Sequence, residues 1–200
     1  MVISMTQTFT LQPLTEDEID KARLLCDTCV GENLYSKEEI AAAFGDADRF
    51  FYLLKTETEK TVGYIYYYLT DLEYLAGYTK LDIAQYRAIC ADDCKKVGNI
   101  QSVGLLPAYR GIGLAARMIR HALNDLRAHR AEAAFVVCWK PGGTVPLGKV
   151  ILECRFAYLA EAKKVWYDDT ELICPYCKGR CLCDAEVYYQ LLNEEKGHEA

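Results

Sequence analysis

Apolar and polar side chains alternate through TFTLQPL (8 to 14), as they do in a half-buried strand. Thr15 followed by Glu18 has the spacing of a capping box and predicts a helix running to about Cys29. Ser36 and Glu39 repeat that spacing before a shorter helix, KEEIAAAF. RFFYLLKT (49 to 56) and TVGYIYYYLT (61 to 70) read as strands joined by the charged turn ETEK, the second rich in side chains that suit a pleated surface. The connection from 71 to 97 is longer than a hairpin needs, and Ile83, Tyr86, Ile89 and Cys90 predict a helix inside it. NIQSVGLLP (99 to 107) is a strand that proline stops. Ala115, Met118, Ile119, Ala122, Leu123 and Leu126 then form one apolar stripe, with Arg117, Arg120, Asn124 and Arg127 on the other side. AAFVVCWK (133 to 140) is almost unbroken apolar sequence, as in a buried parallel strand. A helix near 144 to 154 and strands near 157 to 168 and 185 to 192 complete the pattern, and EEKGHEA reads as a tail.

These elements predict one α/β (α+β) domain over 1 to 200. Mean composition changes little, but the formal net charge of −6 does: it argues against nucleic-acid binding, and no basic stripe with interleaved aromatics offsets it. No apolar run reaches the roughly 18 residues of a membrane span. MVISMTQTFTLQPL has neither a basic leader nor an apolar core, so the expected location is the cytoplasm. The oligomeric state is not legible.

Ten cysteines in such a chain are expected to be reduced, as thiols or metal ligands. Four fall together in CPYCKGRCLC: Cys174, Cys177, Cys181 and Cys183, spaced C-x2-C-x3-C-x-C, with Gly179 allowing the turn. Four thiolates on one short loop can close a structural zinc site, and the loop, at about 174 to 183, falls inside the C-terminal hairpin. Cys26 with Cys29, and Cys90 with Cys94, lie on helical patterns and read as core.

The stretch LLPAYRGIGLAA, a strand, a two-glycine turn and a helix, aims free N–H groups and a positive helix end at an anion. Gly111, Gly113 and Ala116 satisfy the dinucleotide pattern G-x-G-x-x-A. That pattern wants an acidic residue at the end of the next strand, and this strand ends in Cys138, Trp139 and Lys140. Arg110, Gly113 and Ala115 instead give R-x-x-G-x-A, led by Leu105 and Pro107. With that motif in this order of elements, the chain resembles the GNAT superfamily of N-acetyltransferases over nearly its whole length. The resemblance implies acetyl-CoA as co-substrate and a mixed, mainly antiparallel sheet flanked by helices. It implies that Arg110, Gly111, Ile112, Gly113, Leu114 and Ala115 hold the pyrophosphate, that backbone near Val103 and Leu105 pairs with the pantetheine arm, and that Thr144 contacts that arm.

The resemblance thins at the catalytic groups. Many members place a tyrosine acid a few residues before a Gly-Phe pair. Here Arg155-Phe156 stands for that pair and Ile151 for the tyrosine, with Cys154 and Tyr158 nearby. The strand position that often carries a glutamate base reads Asn99, Ile100, Gln101, Ser102, so Gln101, orienting a water, is the weak candidate there. Two functions follow. One is an acetyl-CoA-dependent N-acetyltransferase acting on a primary amine of a small molecule or protein. The other is a non-catalytic CoA- or acyl-binding module that uses a zinc loop for partner binding. Asp71, Glu73, Tyr74 and Tyr78 are candidates for attracting an amine by charge and cation–π contact.

Overall fold

The computed structural model describes residues 7–90 and 94–192. Along them run β1 (Phe9–Pro13), α1 (Ile19–Cys29), α2 (Lys37–Ala43), β2 (Arg49–Thr56), β3 (Thr61–Thr70), α3 (Leu72–Thr79) and α4 (Ile83–Arg87). They continue through β4 (Val97–Leu105), α5 (Leu114–Ala128), β5 (Ala133–Lys140), α6 (Gly148–Glu153), β6 (Ala157–Ala162) and β7 (Asp184–Leu191). The strands form one seven-stranded sheet in the order β1-β2-β3-β4-β5-β7-β6. β4 and β5 are parallel and the other neighbours antiparallel, the mixed sheet that the element order predicts. The EEKGHEA tail lies outside the described residues.

The stripe along α5 does what its spacing requires. Met118, Ile119, Ala122 and Leu126 are fully buried against Ile100 and Val136, and Ile151 of α6 joins the same core. Burial of each large side chain here is worth about 1.5–3 kcal/mol, so this face anchors α5, and with it the turn that precedes α5. The opposite face is covered in two parts. α1 and α2 pack on Leu53, Tyr64, Tyr66 and Tyr68, while α3 and α4 pack on Phe135, Val137 and Val187. Lys140 of β5 reaches Glu186 of β7 at 2.7 Å and Glu161 of β6 at 2.6 Å, tying three strands at one end. The hydrogen bonds from Lys140 and Lys163 hold the Glu161 carboxyl down to about 2.

Four local expectations are corrected. The capping box at Ser36 and Glu39 forms, but the one at Thr15 does not. Thr15 Oγ1 donates to the Glu18 carboxylate at 3.1 Å, and Glu18 turns inward to the Lys55 ammonium at 2.9 Å. A lysine buried on β2 needs a countercharge, and that tertiary demand overrides the local cap. The helix expected from 144 starts at Gly148, because Pro146 keeps Val145 extended and Gly142 and Gly143 have positive φ. The strand expected to 168 ends at Ala162, ahead of a turn with Lys164 at φ 49°. The long connection holds two helices, the first opened by Asp71, whose carboxylate accepts the Tyr74 N–H at 2.7 Å.

Candidate cofactor and acceptor site

The sheet opens between its two parallel strands. β5 pairs with β4 only at Gly98, Asn99 and Ile100, so from Gln101 to Leu105 the β5-side edge of β4 has no strand partner. The divergence coincides with a β-bulge: Tyr66 faces Ser102 and Tyr67 faces Ile100, which leaves Gln101 as the extra residue. Past the bulge, the Leu106 N–H donates to Val62 of β3 at 2.9 Å. Since successive residues of a strand turn their backbone groups to opposite edges, those of Val103 and Leu105 face the open side. Half-buried Val103 is free of a strand there, whereas the Leu105 carbonyl accepts from Arg110 Nε at 2.9 Å.

Beyond β4 a short 3-10 turn, Pro107–Tyr109, leads into the glycines. Gly111 and Gly113 lie at φ 79° and 84°, the left-handed region that other residues enter at a cost. Gly113 is the N-cap of α5 and offers no side chain to cap it, and the first turn carries no acidic residue. Among the described residues, the N–H groups of residues 111 to 115 donate to no backbone carbonyl. Among them, too, no atom lies within 4 Å of where a Cβ would stand on either glycine, so the turn is open. Of the residues expected around an anion, Gly111, Ile112 and Gly113 form the turn, and Leu114 and Ala115 open α5. Arg110 stands beside them. It clamps the end of β4 and also reaches the Cys29 carbonyl at 3.4 Å, fixing the turn against α1.

Around Gln101, on the face opposite α5, stand neutral polar groups, with the Arg49 guanidinium at their edge over the Tyr68 ring. Gln101 Oε1 accepts from Asn99 Nδ2 at 2.8 Å and from the Tyr68 hydroxyl at 3.1 Å. Its Nε2 donates to the Tyr78 hydroxyl at 3.3 Å, which also accepts from Trp166 Nε1 at 2.9 Å. Tyr35 donates to Ser102 Oγ at 2.9 Å, and the Arg49 guanidinium donates to the Tyr66 hydroxyl at 2.7 Å. Burial pushes the hydroxyls of Tyr35 and Tyr68 well upward and that of Tyr78 to about 12, so they act as donors and not as bases.

Several expected site residues sit elsewhere. Tyr158 is 54% exposed on β6, with its ring edge-on to Tyr188 at 5.7 Å, on the sheet face that α5 covers. Gln101 makes its contacts on the opposite face, so the structure does not bring the two together. Thr144 is exposed and ends the turn Pro141–Gly143, with its N–H on the Pro141 carbonyl at 3.2 Å; it caps no helix. Cys154 is buried with its thiol pushed up by desolvation, and Ile151 is fully buried. Arg155 adopts φ 63°, the conformation that suits the glycine of a Gly-Phe pair. Tyr74 joins the tyrosine group, with its hydroxyl 3.4 Å from that of Tyr68. Asp71 and Glu73 hold the helices instead, Asp71 as a cap and Glu73 in an ion pair with Arg87 at 2.9 Å.

Tyr35, Tyr68, Asn99 and Trp166 escaped the sequence reading. The period-2 run of Tyr64, Tyr66 and Tyr68 was the one available signal, since it sets three rings on one face of β3. In the loop between β6 and β7, Cys183 Sγ lies 3.6 Å from Cys177 Sγ and 4.0 Å from Cys174 Sγ. Cys181 is buried in the same cluster but outside that triangle. Cys26 is core in α1, its thiol pushed far up by burial.

No helix among the described residues is long and apolar enough to cross a membrane. No curated protein matches the chain. Among solved structures, Arabidopsis thaliana NAA60 in complex with acetyl-CoA aligns with a TM-score of 0.70 at 10% identity, covering 93% of this chain and 99% of that one. The ribosomal-protein-S18-alanine N-acetyltransferase of Escherichia coli aligns at 0.64 and 10% identity, covering 96% and 99%. The spermidine/spermine N-acetyltransferase SpeG of Vibrio cholerae, in complex with manganese ions, aligns at 0.58 and 13% identity, covering 93% and 94%. At such identities the likeness is one of fold. The family model is the stronger finding: residues 16–142 match it, well over half of the sequence, and the chain belongs to the acetyltransferase (GNAT) family.

Proposed function

We propose that this protein is an acetyl-CoA-dependent N-acetyltransferase whose acceptor is a primary amine of a small molecule or of a protein. One observation carries the reading: an uncapped helix end with two left-handed glycines stands beside a strand edge that has no partner. The free amides suit a pyrophosphate, and the open edge from Gln101 to Leu105 suits an extended amide-bearing arm. The named acceptors of two structural neighbours, an alanine and spermidine or spermine, are amines.

In this reading the neutral amine nitrogen attacks the thioester carbonyl carbon, the N–C bond forms as the C–S bond breaks, the nitrogen loses a proton to water, and the thiolate takes one from solvent. The protein's own part is to bind, orient and exclude. A backbone N–H on the open edge of β4 polarises the carbonyl, and the tyrosine and amide group at Gln101 positions the amine. A reducing, cytoplasmic setting belongs to the same proposal, since ten unpaired cysteines include thiols within 3.6 Å of each other. A module that binds CoA without turnover is the second reading, favoured by Ile151 and Gln101 at the two positions where the family often has acid and base. Calorimetric titration with CoA, followed by acetyl-CoA turnover over a panel of amines, separates the two. Failure to bind CoA defeats both; binding without release of free CoA thiol in the presence of any amine defeats the first.

A further inference from the structure

The loop between β6 and β7 has a geometry that neither a disulfide nor an ordinary core explains. A disulfide needs its sulfurs about 2.05 Å apart. Around a zinc ion with Zn–S bonds of about 2.3 Å, a tetrahedron places its sulfurs about 3.8 Å apart. The separations here, 3.6 Å and 4.0 Å, fall on either side of that edge length. Backbone donors point at the sulfurs as they do where a thiolate is held: the Cys177 N–H at Cys174 Sγ, 3.5 Å, and the Leu182 N–H at Cys177 Sγ, 3.4 Å. The chain closes on itself beneath them. The Cys174 N–H donates to the Gly179 carbonyl and the Lys178 N–H to the Cys174 carbonyl, both at 2.9 Å, with Lys178 in the left-handed region at φ 61°.

The loop's surroundings say what such an ion would do. The Ile173 N–H donates to the Glu32 carbonyl at 2.9 Å, and Asn33 Nδ2 to the Glu171 carbonyl at 3.3 Å, so the loop is stitched to the segment between α1 and α2. Tyr176 lies so close to Gly142, its hydroxyl 2.7 Å from the place of a Cβ, that a side chain there would collide with it. Leu34, Trp139 and Trp166 pack against the cysteines. Two of these lead to the bulge in β4. Trp166 donates to Tyr78, which accepts from Gln101, and Leu34 precedes Tyr35, which donates to Ser102.

We propose that Cys174, Cys177 and Cys183, whose sulfurs already lie together, bind one zinc ion with Cys181 turning its thiol inward as the fourth ligand, and that the ion clasps the β6–β7 loop to the α1–α2 segment so as to hold the acceptor side of the opening in shape. With all four positions filled by sulfur the ion has no open position for water or substrate, so its role is structural. Its link to acceptor binding rests on the transferase reading; the site itself does not. The glycine turn, between β4 and α5, meets α1 through Arg110 and the Cys29 carbonyl, just ahead of the clasped segment, and its amides lie on a separate strand-helix unit.

The test begins with the full chain purified under reducing conditions without added metal. Elemental analysis is expected to give one zinc per chain; no zinc, and no uptake when zinc is supplied, overturns the site. Cys177→Ser, at a half-buried position where serine is tolerated, is expected to lose its metal to a chelator that wild type resists. Cys94→Ser, outside the cluster, is expected to retain it, and equal retention in both variants overturns the ligand set. Chelated wild type then tests the clasp. Hydrogen exchange is expected to speed up in residues 31–35 and 171–183 and to recover when zinc is restored, with CoA affinity within about threefold of the holoprotein. For an amine that is turned over, KM is expected to rise about tenfold. Unchanged exchange in 31–35 overturns the clasp. If no amine is turned over by the holoprotein, the transferase reading fails, while metal content and exchange still decide this proposal.

Discussion

Gly113→Ala separates the backbone role of the glycine turn from its role toward a ligand. Gly113 sits at φ 84°, and a Cβ built there meets nothing within 4 Å. The protein therefore feels only backbone strain, about 1–2 kcal/mol for an L-residue in the left-handed region. For a chain of this size that lowers Tm by about 2–8 °C. A bound pyrophosphate feels far more, because the methyl group enters the mouth of the cradle. Charge-assisted bonds to N–H groups are worth about 1.5–3 kcal/mol each, so displacing the anion from two of them costs about 3–6 kcal/mol. That is about two to four orders of magnitude in Kd. Gly45→Ala is the matched control: φ is 85°, no described atom lies within 4 Å, and the residue stands in the turn between α2 and β2, not in the glycine turn before α5. Thermal unfolding without ligand is expected to fall by similar amounts in both variants, and calorimetric titration with CoA is expected to fail in Gly113→Ala alone. If Gly113→Ala loses the stability worked out here but binds CoA within about threefold of wild type, the turn is not the cradle.

Ala115→Asp places a carboxylate in the first turn of α5, where the helix end favours it by about 0.3–1 kcal/mol while its half-buried position against the core opposes it, and it repels and displaces a phosphate; CoA binding retained at full strength in the folded variant contradicts the assignment. Glu18→Gln leaves Lys55 only the exposed Glu59 carboxylate, at 3.8 Å, as a countercharge and is expected to cost up to about 3 kcal/mol in urea unfolding. Burial alone would raise the Glu18 carboxyl, but hydrogen bonds from Lys55 and Thr15 outweigh it and hold it below its ordinary value. The pair's contribution is therefore complete above the unfolded carboxyl's pKa of about 4.3 and fades as pH falls through the folded value. Wild type is expected to lose stability more steeply than Glu18→Gln between about pH 5 and pH 3; parallel curves refute it.

The helical stripe of α5 and the unbroken apolar run of β5 were readable because one face of each decides everything: period and burial agree along their whole length. The glycine turn was readable because its chemistry is local, a backbone conformation followed by a helix end. What failed depended on partners far away in sequence. Thr15 looks like a cap until Lys55 appears across the sheet and draws Glu18 inward. Arg110 is legible as part of the turn motif, but its hydrogen bonds to the Leu105 and Cys29 carbonyls are not. Gln101 was singled out for its position in the strand, but the bulge that aims it comes from the register with Tyr66 and Tyr67, which no pattern in either strand announces. Trp166 lies 65 residues beyond Gln101 and meets it only through Tyr78.

The neutrality of that group has a kinetic consequence. A general base needs a free lone pair near neutral pH and a pKa close to the working pH. Gln101 accepts hydrogen bonds but does not take up a proton. Around it stand Asn99, Trp166 and tyrosines whose protons burial holds in place, Tyr78 up to about 12 and Tyr68 further. The acceptor's proton therefore leaves to water, and the rate follows the fraction of acceptor already present as free amine. On this argument kcat/KM rises tenfold per pH unit and levels off at the acceptor's own pKa. For a peptide α-amine the break falls at about 8, and for an alkyl amine of lysine type at about 10. Measured on two such substrates of this enzyme, the break is expected to move with the amine. Gln101→Glu supplies a carboxylate at the bulge, and its two profiles are expected to converge on one break set by the protein. A break at the same pH for both amines in wild type would mean that a protein group takes the proton, and the assignment of Gln101 as a positioning residue would fall with it.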